Sequence, residues 1–180
     1  MLRLLTRNIR IPVKTREGTF LIEMSPKGLY AVRFPAGDPV HPARGFKTVS
    51  AAEKIRRYFS DPRVPLASIK VDLSSCTAFE KKVYGVLRKV PAGEVISYGA
   101  LARRAGFPGA ARAVGTAMRK NRIPVVIPCH RVVPSGGGMG AYSAGRRWKK
   151  YLLMHERSVR AAGAAPPRNV SRSPFRAAVV

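Results

Sequence analysis

The run Ile-Pro-Cys-His-Arg-Val-Val at residues 127–133 most constrains what the chain can fold into, because it sets a thiol beside an imidazole within an apolar stretch. Such a run is typical of a core strand, in which Cys129 would pack as a small hydrophobe. A buried thiol without charged neighbours is inert, since the thiolate is the nucleophile. Beside a proton acceptor and several cations, the same thiol can ionise near neutral pH and attack an electrophilic carbon. Both interpretations are open until the surrounding sequence is considered.

The excess of basic residues indicates which kinds of molecule the protein is expected to bind. The 180 residues include 34 Lys and Arg against 9 Asp and Glu, a formal net charge of +25. An excess of this size attracts polyanions, with nucleic acid as the first candidate and a membrane surface as the weaker alternative. The length suits one large domain or two small ones and is sufficient to bury a core.

The sequence gives no sign of a membrane span, a signal peptide or a metal site. Its longest apolar runs are too short to cross a bilayer, and Pro12 and Lys14 interrupt the N-terminus too early for a secretory signal. We therefore expect an intracellular protein, cytoplasmic or, in a eukaryote, nuclear, with reduced thiols. Its two cysteines and three histidines lack the paired spacing of a structural zinc site, so we expect no metal and no cofactor.

Residues 1–72 predict a small α+β unit. Three short strands are expected in succession, at residues 9–13, 19–24 and 29–34. A loop rich in Pro and Gly at residues 35–45 precedes a helix that begins near Ser50 and stops at Asp61-Pro62. Residues 66–71 predict a fourth strand. This unit offers no cluster of acids, bases or nucleophiles, and we interpret it as a scaffold.

Residues 73–156 predict a second, mainly helical unit. Thr77 and Glu80 have the spacing of a capping box, which opens a helix that ends before Pro91. Two short helices at residues 98–105 and 110–120 surround a Gly-containing turn, and they fit a helix-turn-helix. A packed pair of helices without DNA-binding function would have the same pattern.

The second helix of this pair carries small side chains that allow a close approach to a DNA groove, among them Ala111, Ala113 and Gly115. Arg112 and Arg119 on the same helix supply positive charge for phosphate. A last helix is expected at residues 147–156. The remaining residues, 157–180, are rich in Ala, Pro and Arg without an acid, and they predict a basic disordered tail.

Several blocks between residues 77 and 156 strongly resemble the O6-alkylguanine-DNA alkyltransferases, also called methylated-DNA–protein-cysteine methyltransferases. The blocks, in family order, are Thr77-Ala78-Phe79-Glu80, residues 93–98, residues 110–115, residues 127–133, and Tyr142-Ser143 with residues 152–156. The Pro-Cys-His-Arg-Val block is highly specific for this family. The resemblance implies a ribonuclease H-like α/β domain at 1–72 and a winged helix-turn-helix-like catalytic domain at 73–156, an α/β (α+β) fold, and the basic tail 157–180 lies beyond the family's core.

The resemblance also implies a role for each residue around the thiol. Cys129 would accept the alkyl group, and His130 would act as a base through a water molecule. Glu156 would orient His130, and Asn121 would brace the turn that carries the thiol. A carboxylate beside an imidazole fixes its tautomer and stabilises the imidazolium, so this chemistry agrees with the implied roles.

A second set of residues would bind the substrate. The resemblance implies that the hydroxyls of Tyr98 and Ser143 hydrogen-bond a flipped guanine and help its O6 to leave. The backbone carbonyls of Cys129 and Val132 would accept from the exocyclic amine of that guanine. Arg112 would fill the gap that the flipped base leaves in the duplex. An alkylated O6 lies inside the base stack, so extrusion of the nucleotide is required for attack.

The implied function is suicide DNA repair: a monomer that needs no cofactor binds double-stranded DNA carrying O6-alkylguanine and transfers the alkyl group irreversibly to Cys129. Two other functions stay open, a lesion-binding module without transfer and a helix-turn-helix transcription factor. Taken singly, the site residues fit structural roles, such as a helix-start aromatic for Tyr98, a loop hydroxyl for Ser143 and a surface ion pair for Glu156. Their joint occurrence at the family's spacing favours the functional roles.

Overall fold

The computed structural model describes residues 8–35 and 50–161, with side chains described as far as residue 157. The predicted loop at residues 35–45, apart from Pro35, lies outside these ranges, as do residues 162–180 of the predicted tail. Within them the protein is a mixed α/β structure, so the predicted fold class is confirmed.

The three strands that the sequence predicted are present, and they form an antiparallel sheet in chain order. They are β1 (Ile9–Thr15), β2 (Gly18–Ser25) and β3 (Gly28–Arg33). The turn into β3 requires glycine, because Gly28 has a φ of +141° and a Cβ at this position would lie 2.6 Å from the carbonyl oxygen of Lys70. The adjacent chain at Lys70 is thereby held close to the start of β3.

The fourth strand predicted at residues 66–71 is wrong. Residues Leu66–Ser68 form a short 3-10 helix, and Val71 makes a single parallel bridge to Leu29. Leu66 and Ile69 are buried while the two residues between them are exposed. That spacing of three matches one turn of 3-10 helix and not the alternation of a strand.

One continuous core joins the N-terminal sheet to the C-terminal helices. Helix α1 (Ser50–Tyr58) packs on the sheet through Ile55 and Tyr58, which are fully buried. Phe20 on β2 lies 4.5 Å from Phe59 and 5.5 Å from Trp148, measured between ring centroids. These aromatic contacts fix the end of α1 against the last helix of the chain.

Four helices build the C-terminal part: α2 (Ala78–Leu87), α3 (Tyr98–Arg104), α4 (Ala111–Lys120) and α5 (Arg146–Ala161). The predicted capping box is confirmed, since Thr77 and Glu80 each bond the other's backbone N–H. Helices α3 and α4 enclose the turn that the sequence predicted. Helix α5 continues past residue 156 to Ala161, so the first five residues of the predicted disordered tail are helical.

The run at residues 127–133 includes a 3-10 turn followed by a short strand, whereas a structural role had predicted a core strand. Residues Cys129–Arg131 form the turn, and Val132–Val133 form β5. Strand β5 pairs in parallel with β4 (Ile96–Ser97), which directly precedes α3. This pairing brings the thiol turn next to the start of the helix-turn-helix, and sequence periodicity gave no sign of it.

Candidate active site

A cleft of about 830 Å³ lies between α3, α4 and the segment 134–143. Most of the predicted substrate- and DNA-binding residues line it: Tyr98, Ala111, Arg112, Gly115, Arg119, Cys129 and Ser143. Ala113 is exposed on α4 and is not among the lining residues. His130, Val132, Asn121 and Glu156 are buried behind the cleft. The fold therefore places the thiol in the wall of a cleft beside the helix-turn-helix.

Asn121 fastens the turn that carries Cys129. At the end of α4, its Nδ2 donates to the carbonyl oxygen of Ile127 at 2.9 Å and to the sulfur of Cys129 at 3.0 Å. Its Oδ1 accepts from the backbone N–H of Ile123 at 3.0 Å. The turn between them includes Val125 at a φ of +71°, a strained conformation for a β-branched residue. The three bonds offset this strain and hold the sulfur in place.

The sulfur of Cys129 is a neutral thiol at rest. Burial raises the pKa of Cys129, and the donor Asn121 and the nearby cation Lys149 only partly oppose that effect. The hydroxyl of Tyr142 is close enough to favour the thiolate, yet it has no hydrogen bond of good geometry within the described residues. Residue Cys129 is only 4% exposed, so ionisation near neutral pH, as the sequence suggested, needs a proton acceptor at the moment of reaction.

A buried network of His130, Arg131 and Glu156 lies behind the thiol. The His130 Nε2 lies 2.9 Å from Glu156 Oε1, and Arg131 donates to both oxygens of the same carboxylate, from Nη2 at 2.7 Å and from Nε at 3.0 Å. Burial raises the pKa of Glu156, but His130 and Arg131 outweigh it, so the pKa lies well below its ordinary value. Burial lowers the pKa of His130 despite the carboxylate. At neutral pH, Glu156 is ionised and the imidazole is neutral.

The hydrogen bond to Glu156 fixes the tautomer of His130. Because the carboxylate is ionised, Nε2 must carry the ring hydrogen and Nδ1 must be the basic nitrogen. Nδ1 is buried and finds no hydrogen-bond partner among the described residues. This nitrogen can accept a proton, and it belongs to the residue directly after Cys129.

Lys149 is a site residue that the sequence did not reveal. It is fully buried, and its Nζ donates to the carbonyl oxygen of Val132 at 2.7 Å. Burial lowers the pKa of Lys149 to about 8. In the sequence it belongs to a basic pair that looks like a solvated helix face. Only its spacing of three and seven from Leu152 and Glu156, which share the buried face of α5, could have indicated burial.

The outer part of the cleft combines an aromatic hydroxyl with cations. Tyr98 opens α3 at half-burial, and burial raises the pKa of its phenol, which therefore remains a donor. Ser143 is exposed at the rim. Arg112 and Arg119 are exposed on α4, and Arg119 donates to Thr116 at 3.0 Å. Positive charge thus surrounds the cleft entrance without blocking it.

Residues 8–35 and 50–161 contain neither a metal-binding cluster nor a membrane-spanning helix. No group of three or more His, Cys, Asp or Glu residues there could hold a metal ion. No helix in the described part of the chain is long and apolar enough to cross a membrane.

Two short helices around a tight turn, beside a cleft whose wall carries a thiol backed by a His–Glu pair, form the arrangement expected of a DNA-binding protein that uses a cysteine in its chemistry. Residues 78–158 match the family model described as the DNA-binding domain of 6-O-methylguanine DNA methyltransferase. The chain belongs to the methylated-DNA–protein-cysteine methyltransferase family.

Relatives cover much of the chain. The methylated-DNA–protein-cysteine methyltransferase of Shigella flexneri is 39% identical over 118 residues, which span 62% of this chain and 68% of that protein. The Homo sapiens protein of the same name is 45% identical over 107 residues, 57% of this chain and 52% of the human one. The crystal structure of Mycobacterium tuberculosis OGT in complex with DNA superposes with a TM-score of 0.68 at 30% identity, covering 83% of this chain and 93% of that one.

Proposed function

We propose that this protein repairs DNA by moving the alkyl group of O6-alkylguanine to the sulfur of Cys129, irreversibly and once per molecule. The observation that carries the proposal is the position of that sulfur, in the wall of the cleft beside α4 and next to the His130–Glu156 pair. The relatives named for the same transfer from methylated DNA support it. Cytoplasm or nucleus is the proposed location, and a monomer is the proposed state.

Access to the sulfur requires extrusion of the damaged nucleotide. An alkyl group on O6 lies within the base stack, and the sulfur lies in the wall of a cleft where a duplex cannot enter. The volume of about 830 Å³ is within the usual range for small-molecule sites, so a flipped nucleotide fits. Arg112 at the entrance fills the space that the base vacates, which offsets part of the few kcal/mol of unstacking.

The transfer is a displacement at the alkyl carbon. The proton of the Cys129 thiol passes through a water molecule to Nδ1 of His130, and Glu156 stabilises the imidazolium. The sulfur forms a bond to the alkyl carbon while the bond from that carbon to O6 breaks. The electron pair stays on guanine, where donors from Tyr98 and Ser143 stabilise the developing charge. The products are a thioether and a guanine anion, which takes up one proton while the imidazolium of His130 gives up the proton from the thiol, and neutral guanine leaves.

Mass spectrometry of the protein after exposure to methylated duplex tests the proposal. We expect one added methyl group on the peptide that contains Cys129, and no turnover beyond one equivalent. Binding without a mass change would favour a lesion-binding module. Preference for one undamaged sequence would favour a transcription factor. Methylation of Cys76, which is half-buried and free, would overturn the assignment of the nucleophile.

Arg112→Ala is expected to slow repair of alkylated duplex by about 10-fold or more and to leave reaction with free O6-benzylguanine unchanged. The side chain offsets the cost of extrusion, which is a few kcal/mol, and the free base needs no extrusion. Single-turnover rates with both substrates measure the effect. Arg57→Ala is the matched control, because Arg57 is an exposed arginine on α1. Equal slowing with both substrates would contradict the intercalating role.

The basic tail predicted from the sequence would act as a non-specific arm on phosphate. Because α5 runs to Ala161, the clean truncation is after residue 161, which removes Arg168, Arg172 and Arg176. Each phosphate contact adds about 0.9 to the slope of log affinity against log salt, so the slope should fall by about 1 to 3. The free-base rate should not change. A lower melting temperature with an unaltered slope would mean that the tail supports the fold.

A further inference from the structure

The end of α1 reaches the acid–base pair from the other half of the chain. Tyr58 is fully buried, and its hydroxyl donates to Glu156 Oε1 at 2.5 Å, across 98 residues of sequence. Its backbone carbonyl oxygen lies 2.7 Å from Nε2 of His155, the residue before Glu156. Two hydrogen bonds thus fasten one residue of α1 to two consecutive residues of α5. The predicted scaffold contributes a functional group to the site.

The donors on Glu156 are unevenly shared between its oxygens. Oε1 accepts from Tyr58, from His130 and from Nη2 of Arg131. Oε2 accepts from Nε of Arg131 and, at 3.3 Å, from the backbone N–H of Gly93. His130 therefore competes with a phenol for the same oxygen. Each additional donor withdraws negative charge that would otherwise stabilise the imidazolium.

We propose that Tyr58 is a positioning residue for alkyl transfer: its hydroxyl holds the Glu156 carboxylate and limits how strongly that carboxylate increases the basicity of His130. The proposal rests on the proposed function, because it concerns the proton that leaves the thiol. Through this hydroxyl the N-terminal part of the chain sets the pH at which the thiol can be activated. Without it the imidazole would be more basic and would stay protonated to higher pH, at the cost of a less firmly held carboxylate.

The hydroxyl itself stays protonated throughout the working range. Burial, and then the adjacent Glu156, raise the pKa of Tyr58 well above its ordinary value. Other titratable or charged groups also face this network from the thiol turn, the segment before α5 and α5 itself. They are Cys129, Arg131, Tyr142, Lys149 and His155. None of these donates to Oε1 in place of Tyr58 except Arg131, which remains in any Tyr58 variant.

The test is the pH dependence of benzyl transfer from free O6-benzylguanine, measured in single turnovers from pH 5 to 9. Tyr58→Phe removes one oxygen atom and leaves the ring in place. We expect the midpoint of the profile to move to higher pH by about half a unit to one unit, the effect of one hydrogen bond to a charged group, because the imidazole must be neutral to accept the thiol proton. The melting temperature should fall as well, because a buried carboxylate loses a donor.

Tyr84→Phe is the matched control. Tyr84 is also buried, and its hydroxyl donates to the carbonyl oxygen of Ala117 at 2.7 Å, away from Glu156. It should lose stability without moving the midpoint. Loss of stability alone would lower the melting temperatures of both variants and leave both pH profiles unchanged. A shift in the pH profile of Tyr58→Phe alone would therefore report the proposed role.

Site-specific 3-fluorotyrosine at position 58 gives a second measurement in a protein of nearly native shape, should Tyr58→Phe fail to fold. The fluorinated phenol is a stronger donor, so it should lower the basicity of His130 and move the midpoint to lower pH. An unmoved midpoint in both proteins, or shifts in the opposite directions, would overturn the proposal. Absence of transfer in the unaltered protein would instead refute the proposed function, so the two failures are distinct.

Discussion

Cys129→Ala is expected to abolish alkyl transfer while the protein still binds alkylated duplex. The sulfur is the atom that forms the new bond, so nothing in the cleft replaces it. The cations of α4 and the other residues of the cleft wall are unchanged, so affinity for the damaged duplex should stay within a few-fold of native. Mass spectrometry measures transfer, and fluorescence anisotropy of labelled duplex measures binding.

Cys76→Ala is the matched control for that experiment. Cys76 is the other free cysteine, it is half-buried, and burial raises its pKa without a histidine beside it. Transfer at the native rate and stoichiometry is expected. If Cys129→Ala still gained one methyl group, the nucleophile would have to be elsewhere. If it lost DNA binding as well, the thiol turn would have to be required for the shape of the cleft.

Glu156→Gln is expected to slow transfer at pH 7 by about 100-fold or more, since general-base assistance is typically worth about 10²–10⁴-fold. The neutral amide stabilises the imidazolium poorly, so His130 accepts the thiol proton less readily. The loss should shrink as pH rises above the raised pKa of the thiol, where hydroxide produces the thiolate unaided. Single-turnover rates with free O6-benzylguanine from pH 6 to 10 measure both effects.

Glu156→Gln is also expected to lower the stability of the protein, because Arg131 loses its buried charged partner. Breaking a buried ion pair from one side costs about 3–5 kcal/mol, so the melting temperature must be measured beside the rate. Glu53→Gln is the control, since Glu53 pairs with Arg56 on the exposed side of α1 and should change neither quantity much. An unchanged rate at pH 7 would remove Glu156 from the mechanism. A rate that stayed low at pH 10 would point to a misfolded cleft.

Acid is expected to destabilise the protein, in part by protonating the buried network of Glu156 and His130. The folded-state pKa of Glu156 lies below its unfolded value, so its stabilising contribution is present above the unfolded pKa and is lost as pH falls toward the folded one. Asp72, whose pKa is lowered to about 2 by donors from Ser25 and Ser74, adds a contribution of the same sign. The pKa of His130 is also lowered, so its contribution is lost below about pH 6.5. Melting temperature should therefore fall steadily from pH 7 to pH 3.

Elements whose signals are local could be predicted from the sequence. The capping box of Thr77 and Glu80, the helices that begin near Tyr98 and Ala111, and the three N-terminal strands all depend on neighbours a few residues apart. The predicted strand at residues 66–71 failed because its apolar residues have a spacing of three, which the fold used for one turn of 3-10 helix. The resemblance of the Cys129–Arg131 region to the family predicted the transfer chemistry, since the thiol and the imidazole belong to adjacent residues.

The groups that surround the thiol, and their protonation states, depend on contacts between distant parts of the chain. Tyr58 and Lys149 look like an ordinary core aromatic and a surface cation in the sequence, yet both are fully buried against groups far along the chain. Burial, and not the flanking cations, sets the resting state of Cys129. The reason is physical: desolvation and hydrogen bonds act over a few ångströms in space, and contacts separated by 98 residues leave no periodic mark in the sequence.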